Sequence, residues 1–467
     1  MHQKKKYLFF MRKKMINDLL QIHNVAKLLI AQERYSEVEF FLKHLAYESI
    51  QILAGMYNHI GDYKLAKKNY LLSDQIVPRH WQTYTNLCDN LYKLKEYDGA
   101  EQAVKDALDC PEGCKQEAVY NLAVIQSEYH KTNESMETYR KVLEINPNHY
   151  TAHYNYGCEL LKNCIFEEGW KYYESRFKAF ERLNYLRKVF KNLPDWNGEN
   201  LKNKKILLYN EQGTGDLIQF LRFAKILKEQ KAKILVACDV NFKKIIDKID
   251  FIDETLSDQS EIEEKTKNYH FKTSVTSLPY YLKLNNKKDI SSKKYINIKE
   301  KFVLPKSKNK KVGIVYAGSS VHPYDWRRSI LFSKFKPLAE LKKIDFYVLQ
   351  KFNERKRKWN NKLVDPFDVP IFENWVDLSV DLKDYYTTAT VLNSLDLLIT
   401  VDTSIAHLAG AMNKKVWLLA DYNNDWRWGS DSDKSYWYPS FKIFRQKSLD
   451  YNWDEVIEEV KKELNNF

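Results

Sequence analysis

Glycine, hydroxyl and carboxyl residues with the spacing of a ligand-binding turn occur at residues 211–216, Glu-Gln-Gly-Thr-Gly-Asp. The paired glycines allow a tight turn and let the backbone approach a ligand closely. Asp216, at the start of a predicted helix, either caps that helix or faces a ligand cleft. A dinucleotide-binding fingerprint needs a third glycine, whereas the position three after Gly215 is Ile218. The segment therefore predicts a ligand-binding turn and argues against NAD as the ligand.

A second candidate segment, residues 401–407, reads Val-Asp-Thr-Ser-Ile-Ala-His and also joins a predicted strand to a helix. The hydroxyls of Thr403 and Ser404, with the unpaired N–H groups of a helix N-terminus, suit a diphosphate. His407 lies one turn farther along the same face. The alternative is structural: His407 as a core histidine bound to a backbone carbonyl, and Asp402 and Ser404 as capping residues.

Arginines and tryptophans supply two further candidate segments. Arg327 and Arg328 follow the turn that leaves a predicted strand, where guanidinium groups can hold phosphate oxygens bidentately. Surface ion pairs are the alternative for both. Trp426, in the Asp-Trp-Arg-Trp-Gly segment at 425–429, either stacks on a base, closes a cleft, or packs a long loop.

Alternating strands and helices are predicted to position these residues. Apolar runs at 205–210 and 233–238 flank an amphipathic helix at 216–228, which is a βαβ unit. A second series of strands is predicted at 311–316, 346–350, 397–401 and 416–420, with helices at 332–341 and 405–412. Two parallel, helix-flanked lobes follow, 205–304 and 311–467, with 305–310 as a hinge. Ligands are expected at the carboxyl ends of their strands.

The first half of the chain is a repeat. Small residues at Ala66, Ala100, Ser135 and Gly169 are 34, 35 and 34 residues apart. Each is followed four residues later by a larger one, which predicts pairs of closely packed helices. We expect about four repeats over 47–178 and a linker at 179–204. Residues 1–46 are predicted to be capping helices or a degenerate repeat, because a solenoid must cover its terminal apolar face.

Composition limits the partners without naming them. Lys and Arg outnumber Asp and Glu by 75 to 62, so the formal charge of +13 favours anionic ligands. The basic run at 355–358 lacks regularly spaced aromatic residues, which argues against nucleic acid. The 6 cysteines lack the spacing of a zinc site and are expected to be reduced thiols. The apolar run after Lys4 is shorter than a signal-peptide core, and no stretch approaches the roughly 20 apolar residues of a membrane span. We expect a cytoplasmic protein that contacts membranes at most peripherally.

The repeats resemble tetratricopeptide repeats, and residues 192–462 resemble the heptosyltransferase-like glycosyltransferases of family 9, in the form that bacteria append to such repeats. The motifs that carry this resemblance lie at 166–170, 193–198, 211–220, 328–330, 349–350, 402–410, 425–428 and 437–439. It implies an α + α/β architecture: an N-terminal α-solenoid followed by a GT-B-type pair of Rossmann-like lobes.

The resemblance also implies roles for individual residues. Asp216 would be the general base that takes a proton from the acceptor hydroxyl, and Arg328 would hold the donor phosphates, with Arg327 as its competitor. No metal or cofactor is implied, which agrees with the lack of an Asp-x-Asp motif near a strand end, so the nucleotide sugar is a substrate. The donor side would be lined by Asp402, Thr403, Ser404 and His407. The acceptor cleft would be lined by Glu211, Gln212, Gly213, Gly215, Gln219 and Trp426.

The expected function is transfer of a sugar from a nucleotide-sugar donor to a protein or a cell-surface glycan, with a protein or peptide bound on the concave face of the repeats. One alternative places the acceptor in lipopolysaccharide or capsule assembly. Transfer to short glycan acceptors should then survive deletion of residues 1–178. The other alternative is a non-catalytic repeat scaffold whose transferase module has decayed.

Overall fold

The computed structural model describes residues 21–110, 115–290, 294–322, 324–351, 357–359, 362–364, 369–430 and 432–467. The predicted N-terminal segment before residue 21, Cys114 and residues 355–356 of the basic run lie outside these ranges. Contacts divide the chain into two units, Met1–Pro147 and Asn148–Phe467.

The first unit is built from helical hairpins. After a helical stretch at 21–31, its helices are α1 (Tyr35–Ile60), α2 (Tyr63–Ile76), α3 (Trp81–Lys93), α4 (Tyr97–Leu108), α5 (Lys115–Glu128) and α6 (Thr132–Ile145). The small repeat positions Ala66, Ala100 and Ser135 are all 0% exposed, because their hairpins close too tightly for larger side chains. The predicted tetratricopeptide-type repeat is therefore confirmed for this region. Helix α1 runs continuously across residue 46, where the sequence suggested a boundary.

The second unit begins with a fourth hairpin, α7 (Tyr150–Lys162) and α8 (Phe166–Tyr173). Its two helices meet at glycines. A Cβ atom on Gly157 would lie 2.7 Å from the backbone N of Tyr173, and one on Gly169 would lie 2.8 Å from Cδ2 of Leu161. This hairpin keeps the spacing of the repeat, yet its contacts place it with the α/β part of the chain.

The first sheet of the second unit is parallel, in the order β3-β2-β1-β4. Its strands are β1 (Lys205–Tyr209), β2 (Lys233–Ala237), β3 (Glu254–Leu256) and β4 (Phe271–Ser274). The accompanying helices are α9 (Arg176–Ala179), α10 (Tyr185–Val189), α11 (Thr214–Leu221), α12 (Ala224–Glu229), α13 (Val240–Ile246), α14 (Gln259–Thr266), α15 (Leu278–Tyr281) and α16 (Lys287–Ile290).

The helix predicted at 216–228 is interrupted. Nε of Arg222 donates to the carbonyl of Gln219 at 2.7 Å, and the N–H of Phe223 bonds instead to Phe220. The N–H of Phe223 thus makes a 3₁₀-type bond in place of the α-helical bond to Gln219, and α11 and α12 are separate helices.

The second sheet is also parallel, in the order β12-β11-β10-β5-β6-β9. Its strands are β5 (Lys310–Val315), β6 (Ile344–Val348), β9 (Trp375–Asp377), β10 (Leu397–Val401), β11 (Val416–Ala420) and β12 (Phe441–Arg445), and β7 (Arg357–Trp359) and β8 (Lys362–Val364) form a separate antiparallel pair. Its helices are α17 (Asp325–Arg328), α18 (Tyr385–Ser394), α19 (Ser404–Ala411) and α20 (Asp454–Asn465). The helix predicted at 332–341 is a 3₁₀ segment, Phe332–Glu340, with Pro337 inside it.

One hydrophobic core connects the parts of the second unit. It includes Phe166 and Trp170 of the fourth hairpin, Leu208 of the first sheet, and Leu398 and Trp437 of the second lobe. Within the described part of the chain, every helix is too short or too polar to cross a bilayer.

Candidate functional site

The N-termini of two helices pack against each other, and each helix follows a strand of a different sheet. Helix α11 follows β1 and α19 follows β10, and the two helices meet at Gly215. A Cβ atom there would lie 2.8 Å from Cδ2 of His407 and 3.5 Å from Cα of Ser404. Only a glycine permits this approach without a shift of its neighbours. The contact brings the segments 211–216 and 402–407, which are far apart in the sequence, to one place.

Asp216 is held at the start of α11 by two donors. Its Oδ2 accepts from the N–H of Gly213 at 2.9 Å, and its Oδ1 accepts from Nη2 of Arg427. Burial raises the pKa of the Asp216 carboxyl, and the charge of Arg427 opposes that rise. The side chain is 17% exposed, so the carboxylate is fixed in orientation without being sealed from solvent.

Arg427, for which the sequence predicted no role, contacts several of these residues. It lies in a 3₁₀ turn, Trp426–Trp428, after β11, and is buried. Its Nη1 donates to Asp425 at 2.8 Å and its Nε donates to Oε1 of Gln219 at 2.7 Å. The guanidinium also lies over the ring of Trp426, 4.3 Å from its centroid. Arg427 thus joins an acid of the first lobe to an acid of the second.

His407 lines the site as an uncharged side chain. It is 4% exposed, and its Nδ1 lies 3.0 Å from the hydroxyl of Tyr438, so its partner is a side chain and not the backbone carbonyl that the structural alternative assumed. Its ring stacks on Trp428 with centroids 5.2 Å apart. Burial, assisted by Arg427, lowers the pKa of His407 to about 3, so the ring is neutral. Its Nε2 is 4.0 Å from Oδ1 of Asp402.

The N-terminus of α19 presents backbone donors. Thr403 caps the helix by accepting from the N–H of Ala406 at 3.4 Å, and the hydroxyl of Ser404 lies 2.8 Å from that of Tyr385. Within the described part of the chain, the N–H groups of Ser404 and Ile405 have no hydrogen-bond partner. These groups and the helix dipole are suited to an anion.

Asp402 stands beside this position. Burial raises the pKa of the Asp402 carboxyl to about 6, and the charge of Arg328 opposes the rise. Its protonation therefore changes just below neutral pH.

Arg328 is the candidate phosphate ligand whose guanidinium still has N–H groups available for hydrogen bonds. Its guanidinium packs on Gly318, where a Cβ atom would lie 2.6 Å from Nη2. Its Nε is 3.5 Å from Asp325, and its Nη groups have no hydrogen bond to any described residue. Gly318 follows β5, the neighbour of β10, so Arg328 lies at the same sheet edge as Asp402.

Arg327 is committed elsewhere. Its Nε is 3.1 Å from Oδ2 of Asp421, its Nη2 donates to the carbonyl of Asn423 at 2.9 Å, and its guanidinium lies over the ring of Tyr324. Of the two arginines that the sequence left in competition, this geometry favours Arg328.

Other predicted cleft residues are tied into the protein interior. Glu211 accepts from Nε of Arg176 at 2.9 Å, and although burial alone would raise its pKa, Arg176 and neighbouring hydroxyls hold that pKa below its usual value. Gln219 is buried under Arg427, and Gln212 donates to the hydroxyl of Tyr173 at 2.8 Å. Trp426 is 5% exposed, which agrees with the packing alternative and leaves no open face for a base.

No protein-family model and no curated protein matches this chain. Among solved structures, it is similar to MamA, with 17% identity over 33% of this chain and 94% of that one and a TM-score of 0.27. Pseudomonas aeruginosa PilF shows 18% identity over 36% and 82% of the two chains, with a TM-score of 0.28. The second TPR domain of human RPAP3, in complex with an HSP70 peptide, shows 19% identity over 24% and 91%, with a TM-score of 0.22. The repeat fold stated above rests on the hairpins themselves.

Proposed function

We propose that residues 205–467 form a GT-B-type glycosyltransferase module that moves a sugar from a nucleotide-sugar donor to a protein or cell-surface glycan. One observation carries the proposal. At the contact of Gly215 with His407, the N-termini of α11 and α19 meet, so an oriented acid of one sheet faces an anion-binding helix end of the other. Open parallel sheets bind ligands at this edge.

The donor diphosphate would lie on the second lobe. The N–H groups at Ser404 and Ile405 and the unengaged Nη groups of Arg328 offer it hydrogen bonds from one sheet edge. As the bond between the sugar C1 and the diphosphate oxygen breaks, its electron pair stays on that oxygen. Fixed donors stabilise the charge that develops there.

The acceptor would approach Asp216. Its carboxylate takes the proton of the acceptor hydroxyl while that oxygen forms the new bond to the sugar C1. A raised pKa makes a carboxylate a better proton acceptor, and Arg427 fixes its direction. The helical hairpins of the first unit would supply the surface for a protein or peptide partner.

The experiment is differential scanning fluorimetry of the full chain with nucleoside diphosphates and nucleotide sugars. A ligand at 100 times its dissociation constant should stabilise the protein by about 2.7 kcal/mol. Arg328→Gln should weaken binding roughly 10- to 100-fold, because a hydrogen bond to a charged group contributes about 1.5–3 kcal/mol.

Arg187→Gln is the matched control, since Arg187 pairs with Asp195 and both side chains are substantially exposed. If no nucleotide stabilises the wild type, or if Arg187→Gln weakens binding as much as Arg328→Gln, the proposal fails.

A second candidate, nucleotide binding without transfer, is favoured by one observation: both carboxylate oxygens of Asp216 already accept hydrogen bonds. In that case the wild type and Asp216→Asn would bind nucleotides with the same affinity, and neither would transfer a sugar. A transferase acting in lipopolysaccharide or capsule assembly would instead show turnover with short glycan acceptors.

A further inference from the structure

We infer that the fourth helical hairpin and the short helix α9 that follows it are part of the proposed site, and that Tyr173 of α8 and Arg176 of α9 are positioning residues for the turn that carries Asp216. The inference rests on the proposed function only for what that turn does. Whatever the turn at 211–216 does, Tyr173 and Arg176 contact it and hold it in place.

Arg176 supplies the strongest contacts. It is 0% exposed, and every N–H of its guanidinium has an acceptor. Its Nε donates to Glu211 at 2.9 Å, and its Nη2 donates to the hydroxyls of Thr276 and Ser277 at 2.8 and 2.7 Å. Its Nη1 donates to Glu174 at 2.5 Å and to the carbonyl of Tyr173 at 3.3 Å.

The carboxylate of Glu211, the first residue of the turn, is held in one orientation by its contacts. The side chain is 1% exposed, and besides Arg176 it accepts from the hydroxyls of Ser274 and Thr276. An ion pair this deeply buried is maintained only when its geometry and its remaining hydrogen bonds are satisfied. A lysine at position 176 has three donors and no planar fork, so it cannot reproduce these contacts.

Tyr173 contacts both lobes. Its hydroxyl accepts from Gln212 of the turn at 2.8 Å, and its ring meets that of Trp426 edge to face, with centroids 5.7 Å apart. Trp426 directly precedes Arg427, which binds Asp216. One side chain of the hairpin therefore touches both segments that orient the acid.

The hairpin is tightly packed where Tyr173 lies. Its helices approach at Gly157, where a Cβ atom would lie 2.7 Å from the backbone N of Tyr173. Trp170 is 1% exposed and donates to the carbonyl of Leu284 at 2.9 Å. The backbone of Tyr173 is thus packed against α7, and Trp170 ties α8 to the first lobe, which suits a positioning residue of a functional site.

The test is hydrogen exchange by mass spectrometry on the full chain, without ligand. Arg176→Lys and Tyr173→Phe should each speed exchange at the backbone amides of 211–217 at least tenfold, since loss of the contacts lets the turn open. Peptides of the second sheet should exchange as in the wild type. Arg187→Lys is the control, because Arg187 lies in α10, the next α-helix after that of Arg176, but pairs with Asp195 instead of the turn.

Unchanged exchange at 211–217 in Tyr173→Phe would overturn the inference, since this variant keeps the ring and loses only the hydroxyl. Exchange that rises equally in all peptides would also overturn it, because the role would then be general stability.

A nucleoside diphosphate titration of the same variants keeps the two proposals apart. Affinity within twofold of the wild type is expected, because the donor position is on the other lobe, and a large loss would contradict the positioning role. If the wild type binds none, the proposed function fails while the exchange result still decides the inference.

Discussion

Two fragments that begin at Asn148 and at Ala179 should differ sharply in folding. The first contains the whole second unit, whereas the second starts where the sequence placed the end of the repeats. The longer fragment keeps the fourth hairpin and Arg176, and the shorter one loses both. We expect the fragment 148–467 to fold cooperatively and the fragment 179–467 not to fold.

The magnitude follows from what the hairpin buries. Phe166, Trp170 and Tyr173 are each 1–2% exposed, and burial of a large apolar side chain contributes about 1.5–3 kcal/mol. Removal of Arg176 leaves Glu211 buried without its counter-charge, which costs about 3–5 kcal/mol. The combined loss of roughly 10 kcal/mol is comparable to the whole stability of an ordinary domain, about 5–15 kcal/mol.

The assay is urea unfolding of both fragments, followed by circular dichroism and tryptophan fluorescence. A cooperative transition for 148–467 and none for 179–467 is the expected result. If 179–467 unfolds cooperatively with a free energy within about 2 kcal/mol of the longer fragment, the hairpin contributes far less than its burial indicates. Deletion of residues 1–178 is for the same reason a test of folding and cannot by itself identify the acceptor.

Three further changes test the site. Gly215→Ala should lower the free energy of unfolding by about 1–3 kcal/mol, because its Cβ would crowd His407, and urea unfolding that shows no loss would contradict this. Arg427→Met should cost about 3–5 kcal/mol by the same measurement, since Asp216 loses its buried counter-charge; a cost below about 1 kcal/mol would mean that the pair is not needed. Asp402, with a folded-state pKa raised from 3.8 to about 6, contributes stability that is present below about pH 4 and lost as the pH rises through about 6. Compared with Asp402→Asn, the wild type should therefore lose stability between about pH 4 and pH 7, and parallel pH profiles would contradict the shift.

The repeat was predictable because its signal is local. The regular spacing of the small residues Ala66, Ala100 and Ser135 predicts that two neighbouring helices approach closely at each of them. All three residues are fully buried in the structure. The same spacing includes Gly169, but it cannot tell which larger surface a hairpin packs against. That depends on apolar residues such as Trp426 and Trp437, which lie hundreds of residues away in the sequence.

The strands were predictable where they are central. The predicted apolar runs correspond to β1, β2, β5, β6, β10 and β11. Within the two parallel sheets, the four strands that were not predicted, β3, β4, β9 and β12, are the edge strands. The separate antiparallel pair of β7 and β8 was not predicted either. Edge strands need less apolar sequence than strands covered on both sides, and Phe271–Ser274 reads Phe-Lys-Thr-Ser.

The site was predictable as segments and not as contacts. Strand-to-helix junctions identified 211–216 and 402–407, because glycine and capping residues have local consequences. Arg176 and Arg427 were missed, since a lone arginine carries no local signal of the carboxylate it will bind. The choice between Arg327 and Arg328 likewise needed the position of Asp421.

The pairing of Asp216 with Arg427 also constrains how the protein is made. The two residues are 211 positions apart, so the first lobe leaves the ribosome long before its acid can meet its counter-charge. Until then Asp216 has only the N–H of Gly213, and its burial against α19 must wait as well. The nascent first lobe is therefore expected to keep this edge hydrated, and the site closes as one of the last events of synthesis.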